Sequence, residues 1–191
     1  MSVKRAVETR WSSRADAIDV ICKKFSEIVA ALERLMGSEE NSSTRSDSGV
    51  VLHAILSFSF LAFLNLWNAI LPEINNTQKY LQSKGLCLNQ CACKLLALKE
   101  TINENRNNLV DEALDYSKTL CIELGINTEQ RIRKNKRMAG EENCDTELTL
   151  KEELQQEMLC VLDQIMRELT DKFDQLFALA KRFDFLLPAN F

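Results

Sequence analysis

Apolar residues recur three and four positions apart over long stretches of this chain, a spacing that favours amphipathic α-helices. The first such stripe covers residues 13–36 and is ended by Gly37. Two longer stripes predict helices over residues 87–124 and 148–183. Asn105 is polar and interrupts the stripe over residues 87–124, which predicts a bend in that helix or a contact at this residue. Gly125 fits the position directly after a helix, where a positive φ is tolerated.

Residues 50–71 contain no Asp, Glu, Lys or Arg, and they predict a long apolar central helix that Pro72 interrupts. These 22 residues are enough to span a membrane, which takes roughly 20. However, His53, Asn65 and Asn68 are polar, and no basic cluster flanks the run to set an orientation. We therefore expect the core of a helical bundle, with a single-pass membrane protein through residues 50–71 as the alternative.

Two polar segments predict connections between the helices. Residues 38–48 are polar and mostly small, which indicates a loop, and residues 127–146 form a charged, basic linker. No segment alternates convincingly between apolar and polar residues, so no sheet is expected. The sequence thus predicts one all-α domain over residues 1–191, a bundle of about five helices.

The composition agrees with this fold class and limits the cellular compartments in which the chain is expected. Five Gly and two Pro in 191 residues are too few for a turn-rich β fold. Because the net charge is −4, nucleic-acid binding requires a local cluster of cations. The seven Cys are odd in number and scattered over predicted helices, and residues 3–8 lack the apolar stretch of a signal peptide. Both observations indicate reduced thiols in the cytoplasm or the nucleus.

Several short motifs follow one another in a characteristic order. They are TRWSSR at 9–14, an apolar helix near 60–71, LQSK at 81–84, LGI at 124–126 and RKNKRMAGE at 133–141. This ordered set resembles the helical insertion of hAT-family transposases, and most closely their domesticated relatives of the zinc finger MYM-type protein 1 group. The resemblance covers nearly the whole chain. It implies an all-α insertion domain without its parent sheet, in a nuclear protein.

The resemblance also implies that the chain is not an enzyme. Transposases of this family cut DNA with three carboxylates on an RNase H-like sheet, which hold two metal ions. Those positions precede the Arg-Trp motif or follow the helical insertion, so we expect this chain to lack them. The acidic residues that it does carry on predicted helices, such as Asp111, Glu112 and Asp115, are expected to be solvated. We expect no cofactor and no small-molecule substrate.

Arg10 and Trp11 match a pair that lies near the catalytic site in active hAT transposases. There the aromatic ring is thought to handle a flipped base, and stacking of this kind is worth roughly 1–3 kcal/mol per base. The alternative is a Trp that packs the start of the first helix onto the bundle. Without the rest of the catalytic site, the packing role is the better expectation.

A basic run provides the second candidate nucleic-acid site. Five cations fall within seven residues of an otherwise acidic chain: Arg131, Arg133, Lys134, Lys136 and Arg137. Such a cluster can neutralise phosphates through counterion release or serve as a nuclear-import signal. The alternative is a solvated linker, and Glu129, Glu141 and Glu142 weaken its field.

The Cys residues do not predict a metal site. Cys87, Cys91 and Cys93 are close in sequence, but a structural zinc site wants four ligands, and His53 is the only His. We therefore expect buried, unreactive thiols and no metal.

An apolar tail follows the last predicted helix and provides a candidate partner surface. It contains Phe183, Phe185, Leu186 and Leu187. An insertion domain without its sheet should expose apolar surface, and we expect association with a protein partner or with itself at this tail. A transposon relic without selected function is a further alternative.

Overall fold

The computed structural model describes residues 11–37, 40–128 and 148–182. Within these ranges the protein is all-helical and contains no strand, which confirms the predicted fold class. Six helices follow one another along the described chain: α1 (Trp11–Lys23), α2 (Phe25–Leu35), α3 (Ser42–Ile55), α4 (Phe58–Leu81), α5 (Leu88–Glu123) and α6 (Leu150–Arg182).

The first predicted helix is two helices in the structure. The backbone at Lys24 leaves helical geometry, with φ −116° and ψ 18°, so that α1 and α2 are separate. Phe25 directly follows this break and is buried in the main core. No Gly or Pro lies at the junction, and the apolar spacing therefore continues across it without a signal.

The loop expected over residues 38–48 was assigned too long, because α3 already begins at Ser42. Asn41 caps this helix: its side-chain Oδ1 accepts a hydrogen bond of 2.8 Å from the backbone N–H of Thr44. Asn is among the best N-cap residues, since it satisfies a backbone donor that lacks a partner within the helix. The cluster of small polar residues after it forms the first turns of α3.

The single long apolar helix predicted over residues 50–71 is wrong. The run is divided between α3 and α4, which are bent by 67° relative to each other. Ser57 makes the break, because its hydroxyl donates to the carbonyl of Ala54 and accepts from the N–H of Phe60. Among the described residues, no single helix is long and apolar enough to cross a membrane, although this bent pair has the length and composition to do so.

Pro72 does not interrupt the structure either, because α4 continues through it to Leu81. A Pro inside a helix removes one backbone hydrogen bond and normally kinks or ends the helix. Here the turns after Pro72 are held by packing, since Asn75 and Thr77 are buried and Ile74 packs against the core. Tertiary contacts thus outweigh the local preference of the Pro.

The two longest helices confirm their predictions to within two residues at each end. Gly125 has φ +65°, and α5 ends in a Schellman motif in which Ile126 N–H donates to the carbonyl of Cys121 at 2.8 Å. At the start of α6, Thr149 Oγ1 accepts from Glu152 N–H, while Glu152 Oε2 accepts from Thr149 N–H at 2.7 Å. This reciprocal pair is a capping box.

The core lies where α4 packs against α1, α5 and α6. Its fully buried side chains include Leu61, Leu66, Leu114, Met158 and Leu162. The apolar stripes of the predicted helices over 87–124 and 148–183 supply many of these positions. Asn105 lies within the continuous helix α5 and outside the core; it is exposed, and its amide donates to the carbonyl of Thr101.

Candidate functional site

Most of the predicted nucleic-acid residues lie outside the residues that the structure describes. This is true of Arg10 and of the basic run Arg131, Arg133, Lys134, Lys136 and Arg137. Trp11 is the first residue of α1. The structure therefore does not show whether these residues come together, and their role stays a prediction. The expected charged linker over residues 127–146 and the apolar tail after α6 also fall almost entirely outside the described ranges.

The acidic residues of α5 line an open groove beside α4. The groove has a volume of about 620 Å³, and Asn65 and Ala69 of α4 form part of its wall. Asp111 and Asp115 are exposed, as expected, and each also contacts α6. Asp111 accepts from Gln155 at 3.3 Å, and the Asp115 carboxylate lies 3.5 Å from Lys151 Nζ.

The groove is lined mainly by polar and acidic side chains. Its lining is Asn65, Ala69, Asn108, Leu109, Asp111, Glu112, Ala113, Asp115, Tyr116 and Thr119, without a Cys or His. Asn65 has a structural role, since its side-chain amide donates hydrogen bonds to Ser117 Oγ and to the carbonyl of Leu61, both at 2.9 Å. The only His of the chain, His53, was expected inside an apolar helix but is exposed on α3.

A two-point ion pair joins the middle parts of α5 and α6. Arg106 Nε donates to Asp163 Oδ1 at 2.8 Å, and Arg106 Nη2 donates to Asp163 Oδ2 at 2.7 Å. The hydrogen bond from Arg106 lowers the pKa of the Asp163 carboxyl below 3.8, and the same bond raises the pKa of Arg106. This is the fork geometry that Arg and carboxylate favour, and it sets how the two helices are aligned along their axes. Sequence periodicity could not indicate it, because Asp163 lies off the apolar stripe of α6 and its partner is 57 residues away in the chain.

The thiols are only partly as expected. Cys121 is fully buried and Cys22 is half-buried, and burial raises the pKa of both. For Cys22 the pKa reaches about 11, with a smaller contribution from the Asp19 carboxylate. In contrast, Cys87, Cys93 and Cys160 are exposed. Cys87 directly precedes α5, and the other two lie on outward faces of α5 and α6. Within the described ranges, no three His, Cys, Asp or Glu side chains are grouped so that they could hold a metal ion.

The last three turns of α6 expose an apolar surface, which we call the α6 end face: Phe173, Leu176, Phe177 and Leu179. The rings of Phe173 and Phe177 stack with centroids 6.2 Å apart and planes within 12°. Phe177 is 61% exposed and Leu179 is 43% exposed. Large apolar side chains grouped in this way are typical of interaction surfaces. The sequence pattern placed the expected apolar surface in the tail after α6 and gave no indication of this one within the helix.

A second, smaller apolar surface lies on α2 and α3. Leu35 and Met36 at the end of α2 are exposed, as are Val50 and Val51 on α3. Met36 Cε lies 3.7 Å from where a Cβ on Gly49 would be, so the two helices pack closely at this point. Of these residues, Val50 and Val51 belong to the run from Gly49 to Leu71 that contains no charged residue.

Comparison with known proteins adds no assignment to this geometry. No family model matches the chain, and neither the curated proteins nor the solved structures contain a match.

Proposed function

We propose that this chain is a non-catalytic interaction module and that the α6 end face is its main protein-binding surface. The observation that carries this proposal is the pair of stacked rings at Phe173 and Phe177, of which Phe177 is largely exposed. An aromatic side chain of this size gains most from the exclusion of water when a partner covers it. The apolar residues Phe183, Phe185, Leu186 and Leu187 follow this face in sequence, and the proposed protein-binding role includes them.

The origin that best accounts for the chain is a domesticated hAT-family transposase. The ordered motifs from TRWSSR to RKNKRMAGE support this origin, and an all-α fold is what an insertion domain without its parent sheet would have. The proposal includes a nuclear location, since the proteins that the chain resembles are nuclear. The non-catalytic role rests on the same resemblance, in which the catalytic carboxylates lie outside the helical insertion.

Nucleic-acid binding is the second candidate function. The five cations at Arg131, Arg133, Lys134, Lys136 and Arg137 favour it, because a local cluster is what an acidic chain needs to contact phosphates. A single-pass membrane protein through residues 50–71 is disfavoured, since the 67° bend divides that run. A relic without selected function would predict no specific partner at all.

Affinity capture with matched surface variants tests the proposed protein-binding role. Phe177→Lys removes the exposed ring from the α6 end face, and Ile122→Lys makes the same kind of change at a 71% exposed residue near the end of α5. Lys is a good helix former and is favourable near a helix C-terminus, so both variants should fold. We expect wild type and Ile122→Lys to retain the same proteins from a nuclear extract, and Phe177→Lys to lose them. Identical sets for all three proteins would overturn the proposal.

A further inference from the structure

The apolar surface of α6 widens towards its C-terminal end. In the first half of the helix, Leu154, Met158 and Leu162 form one narrow stripe that is buried in the core. With about 100° per residue, the four side chains of the α6 end face spread over roughly 160° of the helix circumference. Phe177 and Leu179 lie on opposite flanks of the stripe, and both are exposed. Described neighbours therefore leave part of this surface uncovered, although one helix face of about 100° suffices for packing on a core.

Two opposite charges lie beside Phe177 on the same side of α6. Asp174 precedes Phe177 by three residues and Lys181 follows it by four, so all three share one face of the helix. Both charged residues are exposed. Among the described residues, neither takes part in an ion pair. They are seven residues apart, about 10 Å along the helix axis, which is too far for a direct contact within one chain.

The midpoint between Asp174 and Lys181 lies between Phe177 and Ala178. The negative charge is on the N-terminal side of this midpoint and the positive charge on its C-terminal side. An antiparallel pair of identical helices crossing at that point brings residue 174 of each copy next to residue 181 of the other. A parallel pair would instead bring Asp174 next to Asp174 and Lys181 next to Lys181. Like charges in contact are unfavourable, so the sequence of this face favours the antiparallel arrangement.

As a deepening of the proposed function, on which it rests, we propose that the partner of the α6 end face is a second copy of this chain. The two α6 helices pack antiparallel around a two-fold axis between Phe177 and Ala178. The Phe177 rings of both copies form the apolar centre, and Asp174 and Lys181 form two identical ion pairs at the rim. A two-fold interface must be self-complementary, and this face combines an apolar centre with charges that satisfy that requirement.

Charge reversal on the full chain tests this arrangement, with sedimentation velocity over a concentration series as the readout. Asp174→Lys places two cations together at both rim pairs, and Lys181→Glu places two anions together. We expect each single variant to weaken dimerisation about tenfold, because two exposed pairs change from attractive to repulsive. The double variant Asp174→Lys with Lys181→Glu should regain wild-type dimerisation. An equimolar mixture of the two single variants should also regain it, since each rim pair of the mixed dimer then joins a cation to an anion.

Three results would overturn the inference. They are a wild-type chain that stays monomeric at all concentrations, single variants that dimerise like wild type, and a double variant that is weaker than either single one. All substituted positions are exposed, and circular dichroism of each variant provides the control for folding. A monomeric chain that still loses its extract partners in Phe177→Lys would exclude self-association while leaving the proposed protein-binding function intact.

Discussion

Arg106 on α5 and Asp163 on α6 are joined by two parallel hydrogen bonds of 2.8 and 2.7 Å, although 57 residues separate them in the chain. The pair lies beside the apolar contact between the two longest helices. Apolar stripes allow one helix to shift along another by a turn, whereas a two-point ion pair has one favourable position. The pair therefore adds a specific alignment to a contact that apolar packing stabilises.

Removal of this ion pair should lower stability more at neutral than at acid pH. The folded pKa of Asp163 is below 3.8, so its contribution is complete above that value and is lost as the pH falls through the folded pKa. We expect Asp163→Asn to be less stable than wild type at pH 7 and to approach wild type below pH 3.8. Urea unfolding at several pH values measures the difference, with Asp19→Asn of the exposed pair with Lys23 as the control. Parallel curves for Asp163→Asn and wild type at all pH values would contradict the lowered pKa.

Truncation in the core should be costly, and the same truncation at the surface should not. Leu114 of α5 is 1% exposed and Leu96 of the same helix is 39% exposed. We expect Leu114→Ala to reduce the free energy of unfolding by about 2–5 kcal/mol, through lost burial and the cavity left behind. Leu96→Ala should cost less than about 1 kcal/mol. Urea denaturation followed by circular dichroism gives both values, and similar costs would mean that α5 is not oriented as described.

Two Gly→Ala substitutions should have effects of opposite sign. Gly125 has φ +65°, a conformation that is strained for Ala, so Gly125→Ala should destabilise the protein by about 1 kcal/mol. Gly49 lies inside α3, where an added Cβ meets Met36 Cε at an ordinary 3.7 Å. Gly49→Ala should therefore stabilise by roughly 0.5–1 kcal/mol. Thermal unfolding compares the two variants, and a stabilising Gly125→Ala would contradict the Schellman motif.

Alkylation of the thiols should follow their burial. A pKa of about 11 for Cys22, compared with an ordinary 9.0, reduces its thiolate fraction at pH 8 about 100-fold. Cys121 should also react slowly, because it is fully buried. Cys87 and Cys93 are exposed and should be modified first by iodoacetamide under native conditions. Peptide mass spectrometry over time gives the order, and in urea all four should react at similar rates.

DNA binding, if the basic run carries it, should depend strongly on salt. We expect the chain to bind duplex or hairpin DNA at low salt and to weaken as salt displaces the phosphate contacts. Replacement of Arg133, Lys134, Lys136 and Arg137 by Ala should remove most of that binding and reduce its salt dependence. Electrophoretic mobility shift over a salt series measures this. No shift at low salt, for soluble and helical protein, would leave protein binding as the better proposal.

Helix ends with local signals could be predicted from the sequence. The end of α5 is marked by Gly125, the one residue type that accepts a positive φ without strain, and the start of α6 lies next to the pair Thr149 and Glu152. These interactions involve residues close in sequence, so they leave a trace in the sequence itself. The stripe over 148–183 likewise predicted the burial of Met158 and Leu162.

Breaks that depend on tertiary packing could not be predicted in this way. The apolar spacing continues through Lys24 and gives no sign of the break there. What accompanies the break is the burial of the next residue, Phe25, in the core. Pro72 gives a strong local signal that packing overrides. The absence of charge in residues 50–71 favoured one continuous helix, and the break at Ser57 was missed.

The candidate surface was only partly predictable for a related reason. Phe177 and Leu179 lie at the flanks of the stripe, where a periodicity search counts them as exceptions. Their significance depends on which neighbouring helices cover them, and that is a property of the fold. The roles of Arg10, Trp11 and the basic run stay predictions, because they depend on residues outside the described ranges.

The end of α5 and the start of α6 each carry a cap made by residues close in sequence. The Schellman motif is made by residues of α5 and its immediate successors, and the capping box by Thr149 and Glu152 alone. The hydrogen bonds of each cap join residues within about one turn or two of that helix end. Gly125, Thr149 and Glu152 therefore set where α5 ends and where α6 begins, and both helices should keep these bounds when other positions of the chain vary in evolution.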